Sequence, residues 1–137
     1  MYSEQPTQAQ ITNLVAQHGD VFIFATDGLW DNLTFENILE ITNKVMIAND
    51  AWKETEDGMA VADNLPKFQS GVPDKTPSKT IEAALASAIV REAKMASLDR
   101  RRDSPFARRS RKENPYYSWY GGKIDDICVV VLLVRRA

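Results

Sequence analysis

Val21-Phe22-Ile23-Phe24-Ala25-Thr26-Asp27-Gly28-Leu29-Trp30-Asp31-Asn32 is an apolar run that turns abruptly acidic. Its five leading apolar residues follow the turn-forming His18-Gly19-Asp20 and read as a strand over about 20–26, apolar on both faces as a buried central strand is. Asp27 stands at its tip. A second stretch, Gly121-Gly122-Lys123-Ile124-Asp125-Asp126, leads into Ile127-Cys128-Val129-Val130-Val131-Leu132-Leu133-Val134, a second strand over about 126–135. If the two strands lie antiparallel in one sheet, Asp27 ends one and Asp125 precedes the other at the same edge. Carboxylates held there by rigid strands suit a hard divalent cation such as Mg²⁺ or Mn²⁺, which takes oxygen ligands.

The residues around them divide by role. Asp125 and Asp126 are adjacent, so in extended chain they point to opposite faces and only one readily meets a cation. Asp31 reads as a cap for the turn after the first strand, pointing toward backbone donors or solvent, and Trp30 as a packing residue. Gly28 lets the chain bend away from the strand, and Gly121 and Gly122 free the loop that enters the second. His18 is the sole histidine and precedes a strand roughly 23 Å long at ~3.3 Å per residue, which puts it at the opposite end from Asp27. Cys128 is the sole cysteine; it excludes an internal disulfide and reads as a small buried hydrophobe.

Both motifs resemble the last two signature segments of the metal-dependent serine/threonine protein phosphatases of type 2C. In that family an apolar strand ends in Thr/Ser-Asp-Gly-x-Trp/Phe-Asp, and the final strand follows Gly-x-x-Asp-Asp/Asn-Ile/Met. Arg102-Asp103-Ser104-Pro105-Phe106-Ala107 is similar to the subgroup that contains the mitochondrial enzymes of fungi and animals. The resemblance implies an α+β fold, part of the family's α-β-β-α sandwich, with antiparallel strands and two helices packed on one outer face. It makes residues 1–137 the C-terminal part of a catalytic domain. It selects Asp27 and Asp125 as ligands of one Mg²⁺ or Mn²⁺ ion, with Gly28, Asp31, Asp126 and Gly122 supporting them.

Family members use two metal ions whose shared water attacks phosphoserine or phosphothreonine. The Asp-Gly-His-Gly segment, the second metal's ligands and the phosphate-binding Arg of the family's earlier half have no counterpart in these residues, so hydrolysis is expected to be incomplete here. The substrate is then a phosphoprotein, and the partner is the remaining N-terminal half of the domain. The subgroup implies a mitochondrial location; a cytoplasmic one follows if a targeting segment is truly lacking.

Composition is that of an ordinary soluble domain, 44% hydrophobic and 26% charged, and no run approaches the ~18 apolar residues of a membrane-spanning helix. Two strong strands are few for a complete α/β domain, which independently favours a partial one. A helix is expected over about 34–48, capped by Thr34 with Glu36 in its first turn, and another over about 78–98, starting at Ser78. Residues 50–77 and 99–120 read as irregular loops.

Charge is split. Residues 1–68 carry 11 Asp/Glu against 3 Lys/Arg, whereas 69–137 carry 8 against 14. The basic run Arg100–Lys112 accounts for much of the second count. It reads as solvated, as a rim facing substrate through Arg102 and Arg108, or least as a nucleic-acid contact. Two rivals to the phosphatase reading follow: a non-catalytic fragment or pseudophosphatase that acts as a binding module, and a basic nucleic-acid-binding module. Tyr116, Tyr117, Trp119 and Tyr120 are expected to pack the second acidic loop down.

Overall fold

The computed structural model describes residues 6–65, 80–116 and 118–136. The first apolar run is β1 (Val21–Ala25), followed by a single turn, α1 (Asp27–Trp30), and a long helix, α2 (Phe35–Ala48). A hairpin of β2 (Trp52–Thr55) and β3 (Gly58–Val61) precedes α3 (Ile81–Leu98), α4 (Pro105–Glu113) and the closing strand β4 (Val129–Leu133). The fold is α+β, with packed helices against antiparallel strands.

β1 and β4 pair antiparallel in the register Val21↔Leu133 to Ala25↔Val129. That pairing puts Asp27, two residues past Ala25, on the same sheet edge as Asp125, four before Val129. Both strands are shorter than expected because regular pairing stops at Ala25 and Val129. Beyond that point the Thr26 N–H still donates to the Cys128 carbonyl at 3.1 Å.

Helices cover one face of this sheet. Leu85, Ile89, Ala93 and Ala96 of α3 form a core with Leu29, Leu33 and Ile38, and Val21, Ile23, Ala25, Val129 and Val131 pack against it. Alanines let α3 approach closely. Thr34 caps α2 as expected, in a reciprocal capping box with Asn37: the Asn37 N–H donates to Thr34 Oγ1 and the Thr34 N–H to Asn37 Oδ1. Thr80 caps α3; Ser78, the expected start of the helix, lies outside the described residues.

Among the described residues, no element covers the other face. Phe24, Val130 and Leu132 are 58%, 56% and 50% exposed, and Cys128 beside them is exposed too, so neither β1 nor Cys128 is buried as expected. An apolar sheet face of this kind invites association. The 137-residue chain is therefore expected to self-associate on sizing chromatography, and V130K/L132K to shift it toward monomer. A monomeric wild-type profile at tens of micromolar would contradict this.

Two expected loops contain structure. Within 50–77, β2 and β3 pair with Thr55↔Gly58 as the closing pair, leaving Glu56-Asp57 as a two-residue turn before Gly58. Its strands are exposed apart from Trp52, so there was no buried alternation to read. Residues 66–77 lie outside the described residues. Within 99–120, α4 starts with Ser104 as N-cap and Pro105 in its first turn, a standard helix opening. Its one buried residue is Ala107, so it lacks the apolar stripe by which a helix is recognised.

Candidate metal centre

Asp27, Asp31 and Asp125 each offer a carboxylate oxygen, and these three oxygens lie within 4.8 Å of one another. The convergence of Asp27 and Asp125 is as expected from the strand pairing. Asp31 is the correction. Its side chain is only 5% exposed and turns into the cluster instead of toward backbone or solvent. The cause is α1: one helical turn places Asp31 four residues after Asp27, so the two carboxylates share a face. Asp126 stays outside the trio, as expected; its N–H donates to Asp125 Oδ1 at 2.9 Å, and its side chain is exposed.

Two short polar side chains clamp the motifs together. Thr26 Oγ1 donates to the Asp126 carbonyl at 2.9 Å and accepts the Cys128 N–H at 3.1 Å. Asn32, fully buried, donates through Nδ2 to the carbonyls of Gly28 (2.9 Å) and Lys123 (2.8 Å), and its Oδ1 accepts the Lys123 N–H at 2.9 Å. Apart from the local bond to Gly28, these bonds join residues about a hundred positions apart in the chain.

Gly28 serves the same closeness. A Cβ there would collide with the Asp126 carbonyl, so its role is approach rather than the bend expected of it. Gly122 is pressed against the Ala96 carbonyl and Ser97 Cα at the end of α3 in the same way. Loop freedom belongs to Gly121, whose φ of 118° is left-handed.

Lys123 and Arg109 were not recognised as site residues in the sequence. Lys123 Nζ lies 2.8 Å from Asp31, 2.9 Å from Asp125 and 3.7 Å from Asp27. Arg109, from α4, meets Asp31 Oδ1 at 2.5 Å. Burial pushes the Asp31 carboxyl up, but hydrogen bonds from Lys123 and Arg109 outweigh it and hold it below the ordinary aspartate range. Asp125 is lowered by its hydrogen bond from Lys123, then by the Asp126 N–H, and Lys123 is raised by its hydrogen bonds to Asp125 and Asp31.

Depressed aspartates contribute stability above their unfolded pKa of about 3.9 and lose it as pH falls through the folded values, so the window lies below about pH 4. Lys123 is raised by those same carboxylates, so on the alkaline side the pairing is lost only as pH rises above its unfolded value of about 10.4. The Tm difference between wild type and D31N is expected to be full at pH 6 and to shrink toward pH 2. A difference independent of pH would contradict the pairing.

The basic run is largely satisfied from within. Arg102 donates through Nε to the Asn32 carbonyl (3.2 Å) and through a terminal nitrogen to Asn37 (3.1 Å), so it braces α2 instead of facing substrate. Arg108 pairs with Asp103 at 2.8 Å, and Arg111 pairs with Asp103 and lies over the Tyr120 ring. Trp119 meets Phe106 edge-on, while Tyr116 is 95% exposed and Tyr117 lies outside the described residues. Among the described residues, aromatic packing of the loop thus rests on Trp119 and Tyr120. His18 sits at the far end of the sheet, as expected, with Nδ1 accepting the Arg136 N–H at 2.9 Å.

The chain resembles known phosphatases along nearly its whole length. It is 30% identical over 135 residues to the probable protein phosphatase 2C 80 of Arabidopsis thaliana, which covers 98% of this chain and 25% of that protein. It is 29% identical over 134 residues to the protein phosphatase PTC7 homolog fig of Drosophila simulans, covering 98% of this chain and 33% of that one. Its fold matches the X-ray structure of the photosystem II phosphatase PBCP with a TM-score of 0.62 and 19% identity, over 94% of this chain and 41% of that one. No family model matches. The chain is thus similar in sequence to type 2C protein phosphatases and in fold to a solved phosphatase. It spans about a quarter to a third of the length of the curated relatives it matches.

Proposed function

We propose that this chain is the C-terminal part of the catalytic domain of a metal-dependent protein serine/threonine phosphatase, and that Asp27, Asp125 and Asp31 form its share of a Mg²⁺ or Mn²⁺ centre. The observation that carries this reading is the carboxylate trio at the β1–β4 edge. The donor set fits the ion: all-oxygen, anionic, on rigid elements, with an ammonium already drawn among the oxygens as a cation would be. A divalent cation held there would polarise a phosphoryl oxygen and acidify a water molecule.

The chain's own residues supply position. Thr26 and Asn32 fix the two motifs against each other, so the carboxylates are preorganised rather than recruited. Arg109 holds Asp31 in its ionised, acceptor-only form. Arg108, exposed on α4 and paired with Asp103, is the rim cation a phosphoprotein would meet. A mitochondrial location belongs to the same proposal and rests on the Ser104–Ala107 segment. With most of the basic run paired internally, the nucleic-acid reading loses its support.

Among the described residues there is one such acidic cluster, whereas two-metal hydrolysis needs ligands for a second ion. The 137 residues alone are therefore expected to show no Mn²⁺-dependent hydrolysis of a phosphothreonine peptide. Grafted in place of the matching segment of a type 2C relative, they are expected to support it, and D125N in that chimera to abolish it. A folded chimera without activity, or one indifferent to D125N, would overturn the reading.

A further inference from the structure

Among the described residues, Lys123 stands out from the other cations because its ammonium engages three carboxylates at once. It lies within 4 Å of Asp27, Asp31 and Asp125, the residues assigned to the metal, whereas Arg108 and Arg111 each pair with a single aspartate. Its backbone is fixed from both sides by Asn32, which takes the Lys123 N–H and donates to its carbonyl, so the side chain is tethered at the mouth of the cluster. The Lys123 side chain is 31% exposed, and its Nζ lies 5.6 Å from the centroid of the Phe106 ring. That gives the ammonium somewhere to go: a cation–π contact with partial solvent access.

Oxygens that spread no more than 4.8 Å apart leave one cation-sized space between them, and a divalent ion needs it at about 2.0–2.1 Å from each oxygen for Mg²⁺. The ammonium and the divalent ion therefore compete for the same carboxylates, and repulsion between them at such separation is strong even in a high effective dielectric.

We propose that Lys123 is a tethered counter-cation: it offsets part of the charge of the acidic edge when no metal is bound and is displaced toward Phe106 and solvent when a divalent ion enters, so that it weakens metal affinity and holds the empty site in shape. This inference rests on the metal reading of Asp27, Asp31 and Asp125. It differs from a substrate-contact role, which would leave metal affinity untouched.

The test measures Mn²⁺ binding by the 137-residue chain from the electron paramagnetic resonance signal of free Mn²⁺, at fixed ionic strength, for wild type, K123M, K123R and D125N. K123M is expected to bind about 10-fold or more tightly than wild type, and K123R, which keeps the cation, to stay within about threefold. Lysine acetylation footprinting of the wild type needs no variant to fold. Lys123 is expected to be protected without metal and to react several-fold faster in saturating Mg²⁺, while Lys53 and Lys94 stay constant. Equal or weaker binding by K123M, or a Lys123 that remains protected in Mg²⁺, overturns the inference. If D125N still binds less than wild type in that case, the metal site stands alone. If wild type and K123M both bind no better than D125N, the metal reading falls and takes this inference with it.

Discussion

Gly122→Ala is expected to leave the chain unfolded, or to lower its Tm by roughly 10 °C or more, which corresponds to a loss of about 3 kcal/mol. The obstacle is backbone. A Cβ at Gly122 would overlap the Ala96 carbonyl and Ser97 Cα, and neither can rotate away as a side chain could. The same residue donates its N–H to the Asp99 carbonyl at 2.9 Å, and its neighbour Gly121 donates to the Arg102 carbonyl at 2.8 Å and accepts the Ser104 hydroxyl at 2.6 Å. Pushing this loop off α3 would break all three bonds and carry Lys123 and Asp125 with it. Gly58→Ala is the comparison: its φ of 117° strains any side chain, but nothing lies within 4 Å, so a loss of about 1 kcal/mol is expected. Equal, small effects of the two substitutions in thermal melts would show that the contact of Gly122 with α3 does not matter.

What the sequence revealed, and what it hid, follows from the kind of signal each element sends. β1 and β4 are continuous apolar runs, and α2 carries a capped apolar stripe, so all three were legible along with their order; the antiparallel pairing came from the family resemblance. The hairpin at Trp52–Val61 and the helix at Pro105–Glu113 were not, because both are held by turn chemistry, caps and ion pairs with almost nothing buried. Asp57-Gly58 and Ser104-Pro105 were the available signs, and each was read as loop.

Asp27 and Asp125 could be brought to one edge by supposing the strands antiparallel, with the family resemblance choosing Asp125 over Asp126. Asp31 could not, because its placement needs the single turn of α1, too short to announce itself by periodicity. Lys123 and Arg109 reach the cluster from a loop and from that unrecognised helix. Thr26 and Asn32 stood inside the quoted motif, but their partners lie at the other end of the chain, where only the fold brings them.

Asp125→Asn is expected to weaken Mn²⁺ binding by the 137-residue chain about 100-fold or more, since it removes a charged oxygen ligand from a site with few of them. Asp27→Asn should do the same, and Asp126→Asn, adjacent in sequence but outside the trio, should change it little. The contrast between Asp125 and Asp126 is the sharper reading, because the two differ by one residue and share every non-specific charge effect. Both substitutions are at the surface edge and leave the clamps of Thr26 and Asn32 in place, so loss of folding would not be the explanation for lost binding.

The account's central claim is that the β1–β4 edge gathers Asp27, Asp31 and Asp125 into one divalent-cation site. Paramagnetic broadening of backbone amide signals by substoichiometric Mn²⁺ tests it directly, since the effect falls steeply with distance from the ion. The expected result is loss of the signals of residues 26–31 and 123–127 first, with those of His18 and Val134 at the other end of the sheet unaffected, and no such pattern in D125N. Broadening centred elsewhere, for instance on the acidic hairpin turn at Glu56-Asp57, or a pattern at residues 26–31 that persists in D125N, would contradict it.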